Sequence, residues 1–350
     1  MPKPKIAIVL FNLGGPDRPE AIAPFLRNLF TDPAILRVPF FIRPVLARII
    51  ARARIAPATA NYALLGGRSP LLELTERQAA ALRAALPEFA TRCFIAMRYW
   101  HPFSAEAARA VKAWGPDRIV LLPLYPQFSS TTTGSSLTAW REAAARVGLM
   151  APVTTLCCWP TDAGYVRATA ALIRETWEKA RAALDPAIPL RLLFSAHGLP
   201  EIIIARGDPY QGAIEATARA VAEALALPGL EWRVCYQSRA TPQKWLEPST
   251  EQEIARAGAD RTALLVAPIA FVSDHSETLV ELDIDYAELA REKNVPGYFR
   301  VPAQNDDARF ITALAALVEK TLARGPGIFS HQGGRVCAAD RTDCPHPVLP

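Results

Sequence analysis

The stretch LRLLFSAHGLP (190–200) decides the fold, because it joins a buried strand to a histidine. Its apolar part is continuous rather than alternating, which is typical of a strand covered on both faces of a parallel sheet. Gly198 and Pro200 then end the strand, so His197 lies at its carboxyl end. His197 is either a packed, hydrogen-bonded histidine or a residue that faces a binding site.

Other apolar stretches predict six further strands, at 5–14, 93–100, 118–126, 152–159, 232–239 and 263–271. Helical stretches rich in alanine and arginine lie between most of them, at 71–86, 104–113, 164–184, 210–226 and 250–257. This alternation predicts an α/β fold in which helices flank parallel sheets. Because the pattern occurs on both sides of the linker LDPAIP (184–189), we expect two similar lobes with a cleft between them.

Composition excludes several classes of protein. Hydrophobic residues make up 51% of the 350 residues and charged residues only 21%, which predicts folded cores rather than disorder. The net charge of +5 favours an anionic ligand or membrane surface only weakly, and we expect no nucleic-acid partner. No glycine-rich nucleotide-binding motif follows a strand. MPKPKIAIVLFNLGG (1–15) does not have the pattern of a signal peptide, so we expect a cytoplasmic protein with reduced cysteines and no solute-binding role outside the cell.

A second stretch, FVSDHSETLVELDIDY (271–286), carries regularly spaced carboxylates. On an α-helix they would fall within about 80° of one another; they are Asp274, Glu277, Glu281 and Asp285. A solvated acidic stripe is one interpretation, and a track that carries cations inward or protons outward is the other. His275 and Glu277 follow a strand in the same lobe as His197. Imidazole and carboxylate together suit Fe²⁺ and also proton transfer near neutral pH.

The chain resembles the ferrochelatase family along roughly residues 5–325. The motifs that carry the resemblance are FNLGGPD (11–17), LLGGRSPL (64–71), MRYWHP (97–102), PLYPQFSSTTTGSS (123–136), LLFSAHGLP (192–200), RGDPY (206–210), YQSR (236–239) and PIAFVSDHSETLVELDIDY (268–286). The resemblance implies two Rossmann-like lobes, each with a four-stranded parallel sheet and with a porphyrin cleft between them. It also implies insertion of Fe²⁺ into protoporphyrin IX with release of two protons, the terminal step of haem biosynthesis.

The resemblance also implies roles for individual residues. His197 and Glu277 are the catalytic pair and metal ligands, and which of them takes protons stays open. The implied proton or metal path comprises Asp274, His275, Glu281 and Asp285. The implied porphyrin-binding residues are Arg54, Tyr62, Ser69, Arg98, Tyr99 and Trp245. Leu13 stands where other members have a residue able to ligate metal, so we expect no ligand from that position.

The segment 33–71 contains no acidic residue, and arginines interrupt its apolar side chains. We call this basic, apolar segment the lip. It suits peripheral attachment to a membrane, from which an apolar substrate would come. Packing over the porphyrin and contact in a homodimer are the alternatives.

The C-terminal tail carries candidate ligands for a second metal group: Cys337, Cys344 and His346. Members of the family with a [2Fe–2S] cluster use such a tail and one internal cysteine, which matches Cys158, or alternatively Cys157. A zinc site with three cysteines and one histidine, or a tail without metal, are the rivals. We therefore expect an N-terminal lobe (1–160), a C-terminal lobe (161–325) and a cysteine-containing tail (326–350).

Three other functions compete with iron insertion into protoporphyrin. A coproporphyrin III ferrochelatase and a cobalt chelatase would share the fold, although the apolar lip favours protoporphyrin. A haem- or porphyrin-binding protein without catalysis would need no acidic track.

Overall fold

The computed structural model describes residues 3–239 and 243–346. These residues divide into two compact units. The N-terminal unit comprises residues 3–159, 314–336 and 345–346, and the C-terminal unit comprises residues 160–239, 243–313 and 337–344.

The described residues contain nine strands: β1 (Lys5–Asn12), β2 (Ala90–Met97), β3 (Arg118–Pro123), β4 (Val153–Cys158), β5 (Leu190–His197), β6 (Glu231–Gln237), β7 (Ala263–Pro268), β8 (Tyr298–Arg300) and β9 (Gly327–Ser330). They also contain eleven α-helices: α1 (Ile22–Thr31), α2 (Arg43–Leu64), α3 (Leu71–Ala84), α4 (Ser104–Trp114), α5 (Ser135–Val147), α6 (Ala163–Ala183), α7 (Glu201–Ala205), α8 (Tyr210–Leu225), α9 (Thr250–Ala259), α10 (Tyr286–Glu292) and α11 (Ala308–Ala323). Ser130–Gly134 and Glu277–Asp285 are π-helices, and Pro19–Ala21 is a 3₁₀ turn.

The N-terminal unit is built on a parallel five-stranded sheet in the order β2-β1-β3-β4-β9. β1 is an interior strand between β2 and β3, and every residue of β1 after Lys5 is buried. The predicted α/β class with parallel sheets is confirmed, but the prediction of four strands in this sheet is wrong. The fifth strand is β9, in which Ile328 pairs with Thr155. Residues that we assigned to the tail thus complete the sheet edge beside β4, which would otherwise leave its backbone groups unpaired.

The C-terminal unit is built on a parallel four-stranded sheet in the order β6-β5-β7-β8. Its central strand β5 is the stretch quoted first, and its residues from Leu190 to Ala196 are all buried. His197 pairs with Gln237, and Ser195 pairs with Pro268. The carboxyl ends of three neighbouring strands therefore lie at one edge, where ligands bind in parallel sheets.

Helix ends follow local sequence signals. The Asp162 carboxylate accepts hydrogen bonds from the N–H groups of Gly164 (2.9 Å) and Tyr165 (3.1 Å), which begins α6. Ser249 and Gln252 form a capping box at the start of α9. Within the described ranges, no helix combines the length and the apolar character needed to cross a bilayer.

Candidate active site

His197 and Glu277 are the centre of the candidate site, and both belong to the C-terminal unit. His197 is the last residue of β5, and Glu277 is the first of the π-helix. Nδ1 of His197 lies 2.9 Å from Oε2 of Glu277. With its proton on Nδ1, a neutral His197 donates to Glu277 and leaves the lone pair of Nε2 to accept a proton or to bind a cation. The His197 side chain is 34% exposed, so a substrate can reach it.

The pKa values of this pair shift in opposite directions. Burial disfavours the charged form of each group, but the attraction between imidazolium and carboxylate outweighs it. The pKa of His197 is therefore raised above its ordinary value, and the pKa of Glu277 is lowered. Both directions favour one charged pair, so His197 loses its proton at a higher pH than a solvated histidine does.

His275 lies on the other side of Glu277. Its Nε2 is 3.7 Å from Oε2 of Glu277, and only 6% of the residue is exposed. The ring of Phe271 stands edge-on to both imidazoles, with centroids 4.5 Å from His275 and 6.3 Å from His197. Nδ1 of His275 has no hydrogen-bond partner among the described residues. The Glu277 carboxylate is thus placed between two imidazoles, either of which can exchange a proton with it.

Glu281 is held by several hydrogen-bond donors. Its carboxylate accepts from Nε2 of Gln237 (3.0 Å), the N–H of Ser238 (2.8 Å), the Ser238 hydroxyl and the Tyr286 hydroxyl (2.9 Å). Burial and the nearby Glu277 carboxylate nevertheless raise the pKa of Glu281. Gln237 also donates to the backbone carbonyl of Glu277 at 2.9 Å. This network joins the end of β6 to the π-helix.

Asp274 and Asp285 do not join this network through any contact that the structure gives. Oδ1 of Asp274 accepts from Nη1 of Arg300, and its Oδ2 accepts from Nδ2 of Asn305, each at 2.8 Å. Asp285 is exposed at the other end of the π-helix. Of the four predicted carboxylates, Glu277 and Glu281 are brought together, whereas Asp274 binds Arg300.

The expectation that one α-helix carries all four carboxylates is wrong. Asp274 precedes the helix, which begins at Glu277. Asn305 accepts from the N–H of Asp274 (2.9 Å) and donates to its carboxylate. From Glu277 to Asp285 the backbone is a π-helix, so the α-helical angle per residue does not apply. π-Helical segments are rare in proteins, and those that occur are often found at functional sites.

Tyr210 contacts the backbone of His197, and Gln237 and Trp245 lie beside the next residue, Gly198. The Tyr210 hydroxyl donates to the His197 carbonyl at 2.9 Å. A Cβ on Gly198 would come within 2.8 Å of the Gln237 carbonyl oxygen and 3.3 Å of Cε3 of Trp245. Trp245, which we expected at the porphyrin, is thus adjacent to the turn after His197, and it is 7% exposed.

Arg98 and Tyr99 belong to the N-terminal unit and converge on a buried carboxylate, Asp32. Nη2 of Arg98 lies 2.8 Å from Oδ2 of Asp32, to which the Tyr99 hydroxyl also donates at 2.8 Å. Arg98 is partly exposed and lines a pocket of about 420 Å³, whereas the side chain of Tyr99 is fully buried.

Tyr62 and Ser69 lie close to Gly15 in the same unit. A Cβ on Gly15 would meet Cβ of Ser69 at 2.5 Å and the Tyr62 hydroxyl at 3.8 Å. Tyr62 lies on α2, is buried, and belongs to an apolar cluster that includes residues of α1. Arg54 lies on α2 and is partly exposed.

The candidate ligands of the tail fall in both units. Cys157 and Cys158 are buried at the end of β4 with their Sγ atoms 3.6 Å apart, and His346 belongs to the same unit. Cys337 and Cys344 belong to the C-terminal unit. Within residues 3–239 and 243–346, no group of three or more His, Cys, Asp or Glu side chains is arranged to hold a metal ion. The described residues therefore do not present a complete ligand set for a cluster.

Comparison with known proteins identifies the family. A family model described as ferrochelatase matches residues 5–322. The chain belongs to the ferrochelatase family. It is 54% identical over 345 residues to a ferrochelatase of Caulobacter vibrioides, with 97% of each chain covered. It is also 46% identical over 353 residues to a ferrochelatase of Hyphomonas neptunium, covering 99% of this chain and 96% of the relative.

Solved structures support the fold. SirB from Bacillus subtilis with Fe³⁺ has a TM-score of 0.53 at 11% identity and covers 92% of this chain and 96% of its own. The sirohydrochlorin chelatase SirB from Bacillus subtilis subspecies spizizenii, in complex with cobalt, has a TM-score of 0.52 at 10% identity and covers 91% and 96%. Family membership makes the chain a metal chelatase of haem synthesis, with ferrous iron and a porphyrin as substrates.

Several residues around the site were not predicted as site residues: Tyr210, Gln237, Ser238, Asp283, Tyr286 and Arg300. Tyr210 ends the motif RGDPY, and Gln237 and Ser238 lie near the carboxyl end of a predicted strand (232–239), so sequence signals for these existed. Arg300 had none, because the strand that it ends has only three residues.

Proposed function

We propose that the chain inserts Fe²⁺ into protoporphyrin IX and that His197 accepts a pyrrole proton through Nε2. The observation that carries this proposal is the 2.9 Å contact between Nδ1 of His197 and Glu277. A carboxylate on Nδ1 fixes the tautomer and stabilises the imidazolium that forms when Nε2 takes a proton. The raised pKa of His197 supports the same role, because it makes the imidazole a stronger base.

Both pyrrole protons must leave as iron enters. Glu277 touches His197 and approaches His275, so a proton that reaches His197 can pass to Glu277 and onward to His275. Asp274, Glu281 and Asp285 remain candidates for a longer path. We assign porphyrin binding to Arg54, Tyr62, Ser69, Arg98, Tyr99 and Trp245 on family resemblance, supported for Trp245 by its position beside Gly198.

An anaerobic insertion assay tests the function. The fluorescence of protoporphyrin IX should fall when Fe²⁺ is added with the protein, faster than with coproporphyrin III under the same conditions. Equal or faster use of coproporphyrin III would overturn the assignment of protoporphyrin IX as the substrate. Porphyrin binding without metal insertion, or insertion of Co²⁺ but not of Fe²⁺, would overturn the proposal that the chain inserts Fe²⁺.

We also propose that the lip attaches the protein to the surface of an anionic membrane. The buried face of α2 includes Ala47, Ala51 and Tyr62. Phe40, Phe41, Ile42, Val45 and Ile49 are exposed, together with the basic Arg48 and Arg52. An exposed apolar face edged with arginines suits the headgroup region of a bilayer, where the charges attract anionic lipid.

The tail is proposed to hold a [2Fe–2S] cluster with Cys158 or Cys157, Cys337, Cys344 and His346. Thiolates with an imidazole are suitable ligands, although the described residues present no complete set. The support is local to the N-terminal unit. Val336 packs against Phe128, Cys157 and Cys158, and Cys337 is the next residue along the chain. The cluster has no part in the insertion steps above.

A further inference from the structure

We propose that Arg300 is a positioning residue that clamps the segment carrying His275 and Glu277, and that Asp274 acts in this clamp. The inference rests on the proposed function of the His197–Glu277 pair. Residues 274–283 leave the sheet after β7, form the loop with His275 and enter the π-helix at Glu277. The geometry of the active pair therefore depends on what fixes this segment.

Both ends of the segment are bound by the one guanidinium. Nε and Nη2 of Arg300 donate to the two carboxylate oxygens of Asp283, each at 2.6 Å. Nη1 of Arg300 donates to Oδ1 of Asp274 at 2.8 Å. Such a two-bond contact to one carboxylate fixes orientation as well as distance. The loop before Glu277 and the helix after it are thus joined through one side chain.

The clamp is anchored on the sheet. Arg300 is the last residue of β8, and its backbone pairs with Val266 of β7. Its side chain is 13% exposed and that of Asp274 is 12% exposed, so water screens their attraction less than at an open surface. Tyr298 on the same strand adds a second attachment, since its hydroxyl donates to the Leu282 carbonyl at 2.7 Å. A site held by a strand is more rigid than a site held by loops alone.

Asp274 has both carboxylate oxygens engaged, by Arg300 and by Asn305. This arrangement explains why Asp274 points to β8 while Glu277, three residues later, contacts His197. Loss of the clamp would release the Glu277 end of the pair, and a misplacement of about 1 Å can cost about 100-fold in rate.

Arg191 offers a matched control in the same unit. It also joins two carboxylates, since Nε donates to Glu231 at 2.7 Å and Nη2 donates to Asp260 at 2.8 Å. It lies near the amino end of β5, the strand that ends at His197, and its side chain is 5% exposed. Arg300→Gln and Arg191→Gln therefore remove similar clamps at opposite ends of the sheet.

The experiment measures insertion kinetics and amide hydrogen exchange in wild type, Arg300→Gln, Arg300→Lys, Asp274→Asn, Asp283→Asn and Arg191→Gln. Arg300→Gln should lower kcat about 10- to 100-fold with little change in the KM for porphyrin. It should also speed amide exchange in residues 274–283 of the ligand-free protein. Arg300→Lys should recover part of the rate, and Asp283→Asn should resemble Asp274→Asn.

The clamp would be overturned if amide exchange in residues 274–283 were as slow in Arg300→Gln as in wild type. It would also be overturned if Arg191→Gln lost as much kcat as Arg300→Gln does. A rate loss in Asp274→Asn with wild-type rates in Arg300→Gln and Asp283→Asn would also overturn it, because Asp274 would then act by itself. Asp283→Asn gives a milder test if Arg300→Gln fails to fold, because it weakens the two-bond contact with Arg300, and unchanged exchange in 274–283 in that variant would count against the clamp. An inactive wild type would remove the proposed function, while the exchange data would still decide the clamp.

Discussion

Nδ1 of His197 and Oε2 of Glu277 are 2.9 Å apart, although 80 residues separate them along the chain. Strand β5 delivers the imidazole, and the π-helix that follows β7 delivers the carboxylate. These two elements adjoin because β5 and β7 pair directly. The proton chemistry of the site therefore follows from the order of strands in one sheet.

Titration of His197 should reveal the charge of Glu277. The carboxylate raises the pKa of His197, so the fold gains stability from the imidazolium below the unfolded pKa and loses it as pH rises through the folded pKa. In Glu277→Gln, burial and the weaker attraction of the Glu281 carboxylate remain, so the pKa of His197 should fall below the wild-type value. NMR of histidine-labelled protein, assigned with His197→Ala, measures both midpoints. An equal or higher midpoint in Glu277→Gln would refute the coupling.

Gly198 should tolerate no side chain. A Cβ there would lie 2.8 Å from the Gln237 carbonyl oxygen, and a backbone atom cannot move aside cheaply. We expect Gly198→Ala to lower the free energy of unfolding by about 1–3 kcal/mol in urea titrations. Gly212→Ala is the control, because nothing lies within 4 Å of its added Cβ and it is inside α8. That control should be neutral or stabilising by up to about 1 kcal/mol. Equal losses in both variants would contradict the packing argument.

The lip should govern binding to vesicles. Phe40 and Phe41 are 79% and 67% exposed, so serine at both positions removes apolar area without a cavity in the core. We expect binding to anionic liposomes to weaken about tenfold or more per side chain, measured by co-sedimentation. Met150 is 89% exposed outside the lip, and Met150→Ser should bind as wild type does. Loss of self-association rather than of liposome binding would assign the lip to a dimer.

The tail should determine the iron and sulfide content of anaerobically purified protein. Cys337→Ser and Cys344→Ser should each remove the visible charge-transfer absorption and the inorganic sulfide. Cys235→Ser is a matched control, because burial raises the pKa of that strand thiol to about 12 and it lies within β6. A wild type that contains zinc and no sulfide, or no metal at all, would exclude the cluster.

Much of the fold could be predicted from the sequence, because buried parallel strands are continuous apolar stretches. All seven predicted strands and the five predicted helices correspond to observed elements. β8 and β9 were missed, since three and four residues are too short to show a periodic pattern. β9 also comes from beyond residue 325, so only its pairing with β4 reveals that it belongs to the N-terminal sheet.

The site was predictable only in part. His197 and Glu277 are recognisable because His197 ends one strand and Glu277 comes after the neighbouring strand of the same sheet. The π-helix was not, because its pattern of carboxylates also fits an α-helix. The involvement of Asp274 with Arg300 depends on β8, 26 residues later, and no local signal reports such a pairing. The hydrogen bond from Tyr99 to Asp32 likewise joins residues that are 67 positions apart along the chain.

The most direct test of the account is the anaerobic rate of Fe²⁺ insertion into protoporphyrin IX by wild type, His197→Ala and Glu277→Gln. We predict that wild type is active and that each variant loses about 100-fold or more in kcat, since removal of a positioned base costs about 10²- to 10⁴-fold. Folded variants that both keep the wild-type rate would contradict the assignment of this pair as the catalytic centre.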